Sequence, residues 1–228
     1  MTKKEIIVYH GSEQIIDSPQ FNKGNIHNDY GKGFYCTESI ELAKEWSVGE
    51  ERDGYANKYL LNTSDLKTLD LTKTASTLNW ITILLKNRIF SLKHDVAKEG
   101  KDYLIKNFDI SIDDYDLIKG YRADDSYFTF ADNFLNNMIT LQRLSSALRL
   151  GGLGEQIVLK SEKAFDSITF IKAEKADATT YYPLREKRNA MARDAYLKHK
   201  QDIHSKDDIY LIDLIRGRIR YDDPRLRQ

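Results

Sequence analysis

The sequence feature that most constrains this chain is segment 28–37, with the letters NDYGKGFYCT. Gly31 and Gly33 stand between Tyr30 and Tyr35, immediately before an apolar run typical of a β-strand. Glycine has no Cβ and tolerates positive φ, so it lets the backbone turn sharply and lie close to a ligand. Aromatic rings beside such a turn offer flat faces to a planar ligand. The segment predicts either a ligand-holding turn or an ordinary turn whose rings belong to the core.

Composition excludes several classes of protein. The 228 residues carry 35 Lys and Arg against 35 Asp and Glu, so no overall basic field attracts nucleic acid. A single cysteine, Cys36, excludes a disulfide framework and a multi-cysteine metal site. No stretch has the length and apolar character of a membrane span or a signal peptide. We expect a soluble, cytoplasmic protein with no metal and no membrane partner.

Hydrophobic periodicity predicts a mixture of strands and helices, and therefore an α+β fold. Strands are expected at 5–9, 34–37, 59–61, 68–71, 115–121, 154–160 and 167–172. Helices are expected at 38–47, 80–92, 95–107, 131–150 and 185–199, followed by an apolar-periodic segment at 209–219. The composition shift after residue 178 divides the chain into a domain at 1–178 and a helical C-terminal extension at 179–228. The apolar stripe of the extension either packs on the domain or binds a partner, and we expect packing.

Three residues whose side chains could take part in binding or catalysis stand at strand starts or ends. His10 lies in the letters YHGS, Tyr35 in GKGFY and Glu155 in GEQIV. Each alone is commonly structural. Together and in this order, they resemble the ADP-ribosyltransferase superfamily, in its His-Tyr-Glu branch with the poly(ADP-ribose) polymerases and diphtheria-type toxins. The resemblance covers roughly residues 5–172.

This resemblance implies a split, strongly bent antiparallel sheet that holds NAD, with helices inserted between its strands. It implies that the backbone of Gly11 clamps the nicotinamide carboxamide and that Tyr35 stacks on the nicotinamide ring. Glu155 would hold the 2′-hydroxyl of the nicotinamide ribose and stabilise the positive charge that develops at C1′. His10 would bond a ribose hydroxyl of the adenosine half. The implied catalytic residues are Glu155, Tyr35 and His10, and the implied NAD-binding residues are His10, Gly11, Ser12, Tyr30, Gly33 and Tyr35.

The chain departs from the family pattern at two places. Where the polymerases supply a second aromatic ring from a helix, this chain has Ala43, Lys44 and Glu45, with Trp46 one residue further on. Glu155 is followed by Gln156, so a slip of one residue would make Gln156 the third member of the triad and put transfer in doubt.

We expect NAD-dependent mono-ADP-ribosyl transfer, because no acceptor site for polymer synthesis is identifiable. An NAD glycohydrolase and an inactive module that binds NAD or ADP-ribose are the alternatives. The chain also resembles uncharacterised bacterial proteins of this superfamily encoded beside small antitoxin-like genes. That likeness implies a toxin or phage-defence effector, a protein or nucleic-acid acceptor and a possible antitoxin partner. GKGF lacks the frame of a P-loop, and Cys36 as a nucleophile requires a histidine base that sequence does not locate.

Overall fold

The computed structural model describes residues 5–92, 94–123, 125–149, 154–199 and 208–226. The chain combines helices with two mainly antiparallel sheets, which confirms the predicted α+β class. No helix in these ranges is both long and apolar enough to span a bilayer. The strands are β1 (Glu5–Ser12), β2 (Phe34–Cys36), β3 (Gly54–Asn62), β4 (Thr68–Asp70), β5 (Leu117–Tyr121), β6 (Glu155–Leu159) and β7 (Ile168–Ala176). The helices are α1 (Ile40–Ser47), α2 (Leu71–Thr74), α3 (Thr77–Asn87), α4 (Asp95–Phe108), α5 (Asp125–Leu135), α6 (Leu141–Arg149), α7 (Glu162–Asp166), α8 (Ala178–His199) and α9 (Leu211–Arg216).

The chain forms two compact units. The first holds the strands, with α1, α2, α7 and the beginning of α8. The second is helical and is built from α3 to α6, the end of α8, and α9. The domain boundary predicted after residue 178 stays a prediction. The first unit comprises Met1–Thr74, Ile112–Arg122 and Leu153–Ala190, and the second comprises Ala75–Ser111, Ala123–Gly152 and Met191–Gln228.

The strands of the first unit form two sheets that meet at one point. The first sheet has the order β1-β3-β7 and is antiparallel. The second has the order β2-β6-β5-β4 and is antiparallel except for the parallel pair β4 and β5. Among the described residues, a bridge between Tyr9 and Thr37 joins the two sheets. The N–H of Tyr9 donates to the carbonyl of Thr37 at 2.8 Å, and the N–H of Thr37 donates to the carbonyl of Tyr9 at 2.9 Å.

One face of each sheet contributes to a shared apolar core. Strand alternation places every second side chain on this face, and burying one of them stabilises the fold by about 1.5–3 kcal/mol. The first sheet contributes Val8, Tyr59 and Leu61, and the second contributes Phe34, Cys36, Leu117, Ile157 and Leu159.

Helix α1 packs on the first sheet so closely that only glycine fits beneath it. The helix begins after Ser39, whose hydroxyl accepts a hydrogen bond from the N–H of Leu42 at 3.3 Å, a typical N-cap. A Cβ at Gly11 would lie less than 3.0 Å from the carbonyl oxygen of Ala43. Gly11 therefore fixes the distance between β1 and α1.

The long helix predicted at 131–150 is wrong, because the chain breaks it into α5 and α6. Asn137 adopts a left-handed conformation with φ 59°, which an α-helix does not accommodate. The hydroxyl of Thr140 then accepts from the N–H of Arg143 at 3.3 Å and begins a new helix. The predicted end of this helix, at residue 150, lies outside the described residues.

The apolar stripe of the C-terminal segment is buried within the second unit. Ile209, Leu211, Leu214 and Ile219 are all buried. Tyr103 of α4 donates its hydroxyl to the carbonyl of Ile219 at 2.8 Å. These side chains therefore pack against helices rather than lining an exposed surface.

Candidate functional site

The three strands that carry the predicted motif residues are neighbours. Strand β1, with His10, meets β2 at the bridge between Tyr9 and Thr37. Strand β2, with Tyr35, pairs along its whole length with β6, which begins at Glu155. Segments separated by more than 100 residues in sequence therefore lie side by side.

His10 is held in a defined orientation and tautomer. Its Nδ1 lies 2.7 Å from the carbonyl oxygen of Tyr35, and its ring stacks on Phe34 with 4.2 Å between centroids. Because a carbonyl only accepts, Nδ1 must carry the proton and donate. Burial lowers the pKa of His10 below its usual value, although the bond to Tyr35 acts in the opposite direction. The imidazole is therefore neutral near pH 7, and Nε2 is left as a hydrogen-bond acceptor.

The backbone of Gly11 faces the line along which β1 and β2 separate. Successive residues of a strand direct their N–H and C=O groups to opposite edges. Tyr9 directs both groups toward Thr37, which directly follows β2, so Gly11, two residues later, directs its own groups to the same edge. The bridge at Tyr9 is isolated, so the described strands do not pair at Gly11. This edge provides one backbone donor and one acceptor beside Tyr35.

The hydroxyl of Tyr35 stabilises the turn that contains Gly31 and Gly33. It donates to the carbonyl of Gly31 at 2.6 Å and accepts from the N–H of Tyr30 at 3.1 Å. Gly31 has φ 71°, which explains the glycine there. Tyr30 is completely buried and donates its own hydroxyl to the carbonyl of Tyr121 at 2.8 Å, so its ring is a packing element.

Glu155 and Gln156 lie on opposite faces of β6 and differ in accessibility. The Glu155 side chain is 44% exposed, whereas Gln156 is 3% exposed. The amide nitrogen of Gln156 donates to a carboxylate oxygen of Asp29 at 2.9 Å and to the carbonyl of Tyr121 at 3.1 Å. Gln156 therefore ties the turn to β5, while Glu155 presents an accessible carboxylate.

Strand register also relates Glu155 to His10. Val8 and Ile157 belong to one core cluster. His10 stands two residues after Val8, and Glu155 stands two residues before Ile157, so each lies on the same face of its strand as that core residue. Gln156 instead shares the face of Tyr35, because Tyr35 pairs with Val158. The His10 imidazole and the Glu155 carboxylate therefore lie on the core-facing sides of their sheets. Tyr35 lies on the opposite side of β2.

The remaining predicted residues have local structural partners. Ser12 donates its hydroxyl to the carbonyl of Gln14 at 2.6 Å and accepts from the amide of Asn57 at 2.9 Å. At Gly33 a Cβ would meet the side chain of Val158 at less than 3.0 Å, so this glycine allows the turn to lie on β6.

Two other side chains bear on the alternatives left open by the sequence. Cys36 is fully buried, and burial raises the pKa of its thiol, so it is not a thiolate nucleophile. The guanidinium of Arg122 lies over the ring of Trp46, 4.5 Å from its centroid. One face of the aromatic ring that α1 itself carries is therefore occupied by a cation.

Sequence reasoning missed a lysine beside the predicted catalytic carboxylate. Nζ of Lys119 lies 2.8 Å from a carboxylate oxygen of Glu155 and 3.4 Å from one of Glu38. The hydrogen bond to Glu155 is the largest cause that raises the pKa of Lys119, and burial opposes it. The signal was present, since Lys119 alternates with buried residues in the predicted strand 115–121, but its partner lies 36 residues away in sequence.

Comparison with known proteins gives one finding and two negative results. No curated protein and no solved structure matches the chain significantly. A family model described as "Protein of unknown function (DUF3990)" matches residues 6–170. This match covers most of the chain and includes His10, Tyr35 and Glu155. The chain therefore belongs to the DUF3990 family.

Proposed function

We propose that this protein is an NAD-dependent mono-ADP-ribosyltransferase. The observation that carries the proposal is the separation of β1 from β2 at Gly11, where a backbone edge that pairs with no other described strand lies beside the bonded pair His10 and Tyr35. A carboxamide presents one N–H donor and one C=O acceptor, and the backbone of Gly11 offers the complementary pair. This edge suits the nicotinamide carboxamide, as the family resemblance implies.

The neutral imidazole of His10 supplies the second recognition element. Its Nε2 accepts a hydrogen bond, and a ribose hydroxyl can donate one. The ring is fixed by the carbonyl of Tyr35 and by Phe34, so little side-chain freedom is lost on binding. His10 is therefore assigned to ribose recognition and not to proton transfer.

Glu155 supplies the electrostatic element of the reaction. The bond between C1′ of the ribose and the nicotinamide nitrogen breaks, and nicotinamide leaves as a neutral molecule with the bonding electron pair. Positive charge develops at C1′, where the Glu155 carboxylate stabilises it. An acceptor oxygen or nitrogen then bonds to C1′ and loses a proton to solvent or to Glu155. The accessible position of Glu155 favours it over the buried Gln156 for this role.

Incubation of the purified chain with NAD labelled in the nicotinamide and in the adenylate tests the proposal. We expect nicotinamide release and, in a cell lysate, transfer of the adenylate label to a macromolecule. Digestion of parallel samples with protease, DNase and RNase identifies the acceptor class. Release without transfer indicates a glycohydrolase, and binding without release indicates an inactive module. Either result contradicts transferase activity.

The toxin role stays a proposal that depends on the family resemblance alone. Induction of the chain in a bacterial host should arrest growth, and the Glu155→Gln variant should not. Co-expression of a small adjacent gene product would identify an antitoxin if it restored growth. Growth unaffected by an active enzyme would contradict the toxin role while leaving the transferase proposal intact.

A further inference from the structure

Polar side chains form a row across the second sheet at the end that carries Glu155. Asp70 of β4 pairs in register with Lys119 of β5. Lys119 pairs with Ile157 of β6, so Glu155, two residues earlier, is its diagonal neighbour on the same face. Glu38, just after β2, completes the row with its carboxylate 3.4 Å from Nζ of Lys119.

We propose that Lys119 is a positioning residue for Glu155, whose carboxylate its ammonium holds in one rotamer. This inference rests on the proposed transferase function. The 2.8 Å contact restrains a side chain that is otherwise 44% exposed and able to sample several rotamers.

The second carboxylate explains why this lysine does not cancel the charge it positions. A lone ammonium beside Glu155 would neutralise the field that a developing cation needs. With Glu38 sharing the same ammonium, the three side chains carry a net charge of about −1. Asp70, the register partner of Lys119, is itself paired with Lys73 at 2.9 Å.

The consequence concerns turnover. Removing the ammonium frees the Glu155 rotamer, so the carboxylate faces C1′ in a smaller fraction of the molecules. Ground-state contacts from His10, Gly11 and Tyr35 are unaffected. The expected signature is a lower kcat with nearly unchanged KM for NAD.

The test measures nicotinamide release at a series of NAD concentrations for wild type, Lys119→Met, Lys119→Gln and Lys119→Arg, with folding followed by circular dichroism. We expect Lys119→Met and Lys119→Gln to lower kcat by about 10-fold with nearly unchanged KM, and Lys119→Arg to keep most of the wild-type kcat, since guanidinium also pairs with carboxylates. The matched control is Lys172→Met, which breaks a pair with Glu174 of 2.9 Å on β7 and should leave kcat and KM unchanged.

Failure of this inference is distinguishable from failure of the proposed function. An active wild type whose kcat is kept in both folded Lys119→Met and folded Lys119→Gln overturns the role of Lys119 and leaves the transferase assignment standing. A loss of kcat that is accompanied by a comparable rise in KM, or that Lys119→Arg does not avoid, indicates a structural lysine and also overturns it. A wild type that releases no nicotinamide overturns both.

Discussion

Nδ1 of His10 donates a hydrogen bond to the carbonyl oxygen of Tyr35 across the point where β1 and β2 separate. In a continuous ladder this carbonyl would accept from a backbone N–H, and here an imidazole replaces it. The side chain thus closes the strand pair that the backbone leaves open at Gly11. The closure of this strand pair and the proposed recognition of ribose therefore depend on the same imidazole ring.

The first prediction concerns pH and follows from the burial of His10, which lowers its pKa below the usual 6.5. Above pH 6.5 the imidazole is neutral in both folded and unfolded chains. Below it the unfolded chain binds a proton that the folded chain resists, so the free energy of unfolding falls as pH falls. The contribution of one such group has a slope of at most about 1.4 kcal/mol per pH unit.

Urea unfolding at pH 7.5 and at pH 5.5 measures this effect in wild type and in His10→Gln, whose amide can still donate to Tyr35. We expect a weaker pH dependence in the variant. His27→Gln, at an exposed loop position, is the matched control and should behave as wild type. Identical pH dependence in wild type and His10→Gln would show that His10 does not titrate in this way.

The second prediction is that Gly11→Ala is destabilising while Gly49→Ala is tolerated. The added methyl at Gly11 meets the backbone of Ala43, which moves only if α1 moves. Overpacking of this kind costs about 1–3 kcal/mol. At Gly49 the nearest atom to a Cβ is a side-chain carbon of Arg52 at 3.5 Å, an ordinary contact. Thermal unfolding compares the two, and equal melting temperatures would contradict the assigned packing of α1 on β1.

The order and class of most elements could be predicted because each short segment carries its own periodicity. Strand β1 is longer than predicted, because His10, Gly11 and Ser12 continue the ladder with β3 despite their low strand propensity. The break between α5 and α6 was missed because the apolar spacing continues across it, and only Asn137 and Thr140 mark it.

The candidate site could likewise be predicted only in part. The residue types of the motif were visible in sequence, but pairing across the sheets was not. The partnership of Lys119 with Glu155, and that of Gln156 with Asp29, depend on which strands become neighbours. Burial of Tyr30 beneath Gly120 is likewise a tertiary contact that no local pattern indicates.

The third prediction separates the ring of Tyr35 from its hydroxyl. Tyr35→Phe loses the bonds to Gly31 and Tyr30 and should reduce stability by about 1–2 kcal/mol, with NAD affinity retained. Tyr35→Ala should also weaken NAD binding by about 1–3 kcal/mol, the usual size of stacking on an aromatic ring. Calorimetry of folded variants measures affinity. Unchanged affinity in Tyr35→Ala would exclude stacking on the nicotinamide.

The fourth prediction concerns the ion pair between α1 and α8. Both guanidinium contacts of Arg188 to the Glu45 carboxylate measure 2.8 Å, and the Glu45 side chain is only 4% exposed. Arg188→Met leaves that carboxylate buried without its cation. Because Arg188 itself is partly exposed, we expect a loss of about 2–4 kcal/mol, somewhat below the range for fully buried pairs.

Chemical denaturation measures this loss. The matched control is Arg52→Met, whose partner Glu13 is as exposed as Arg52 itself, so the change should cost less than about 1 kcal/mol. Adding Glu45→Gln to Arg188→Met should recover part of the stability, since the buried charge is then removed. Equal losses for Arg188→Met and Arg52→Met would show that Glu45 is not an energetically buried charge.

The last prediction distinguishes Glu155 from Gln156, because a change at the first should affect turnover and a change at the second should affect stability. Glu155 is exposed, so Glu155→Gln should leave the melting temperature nearly unchanged. It removes a charge that acts mainly in the transition state, and kcat for nicotinamide release should fall about 10²–10³-fold with KM little changed. Gln156→Ala removes two buried hydrogen bonds and should lower stability by about 1–3 kcal/mol, while the folded fraction keeps its turnover. Turnover abolished in folded Gln156→Ala but retained in Glu155→Gln would transfer the catalytic role to the face of β6 that Gln156 shares with Tyr35.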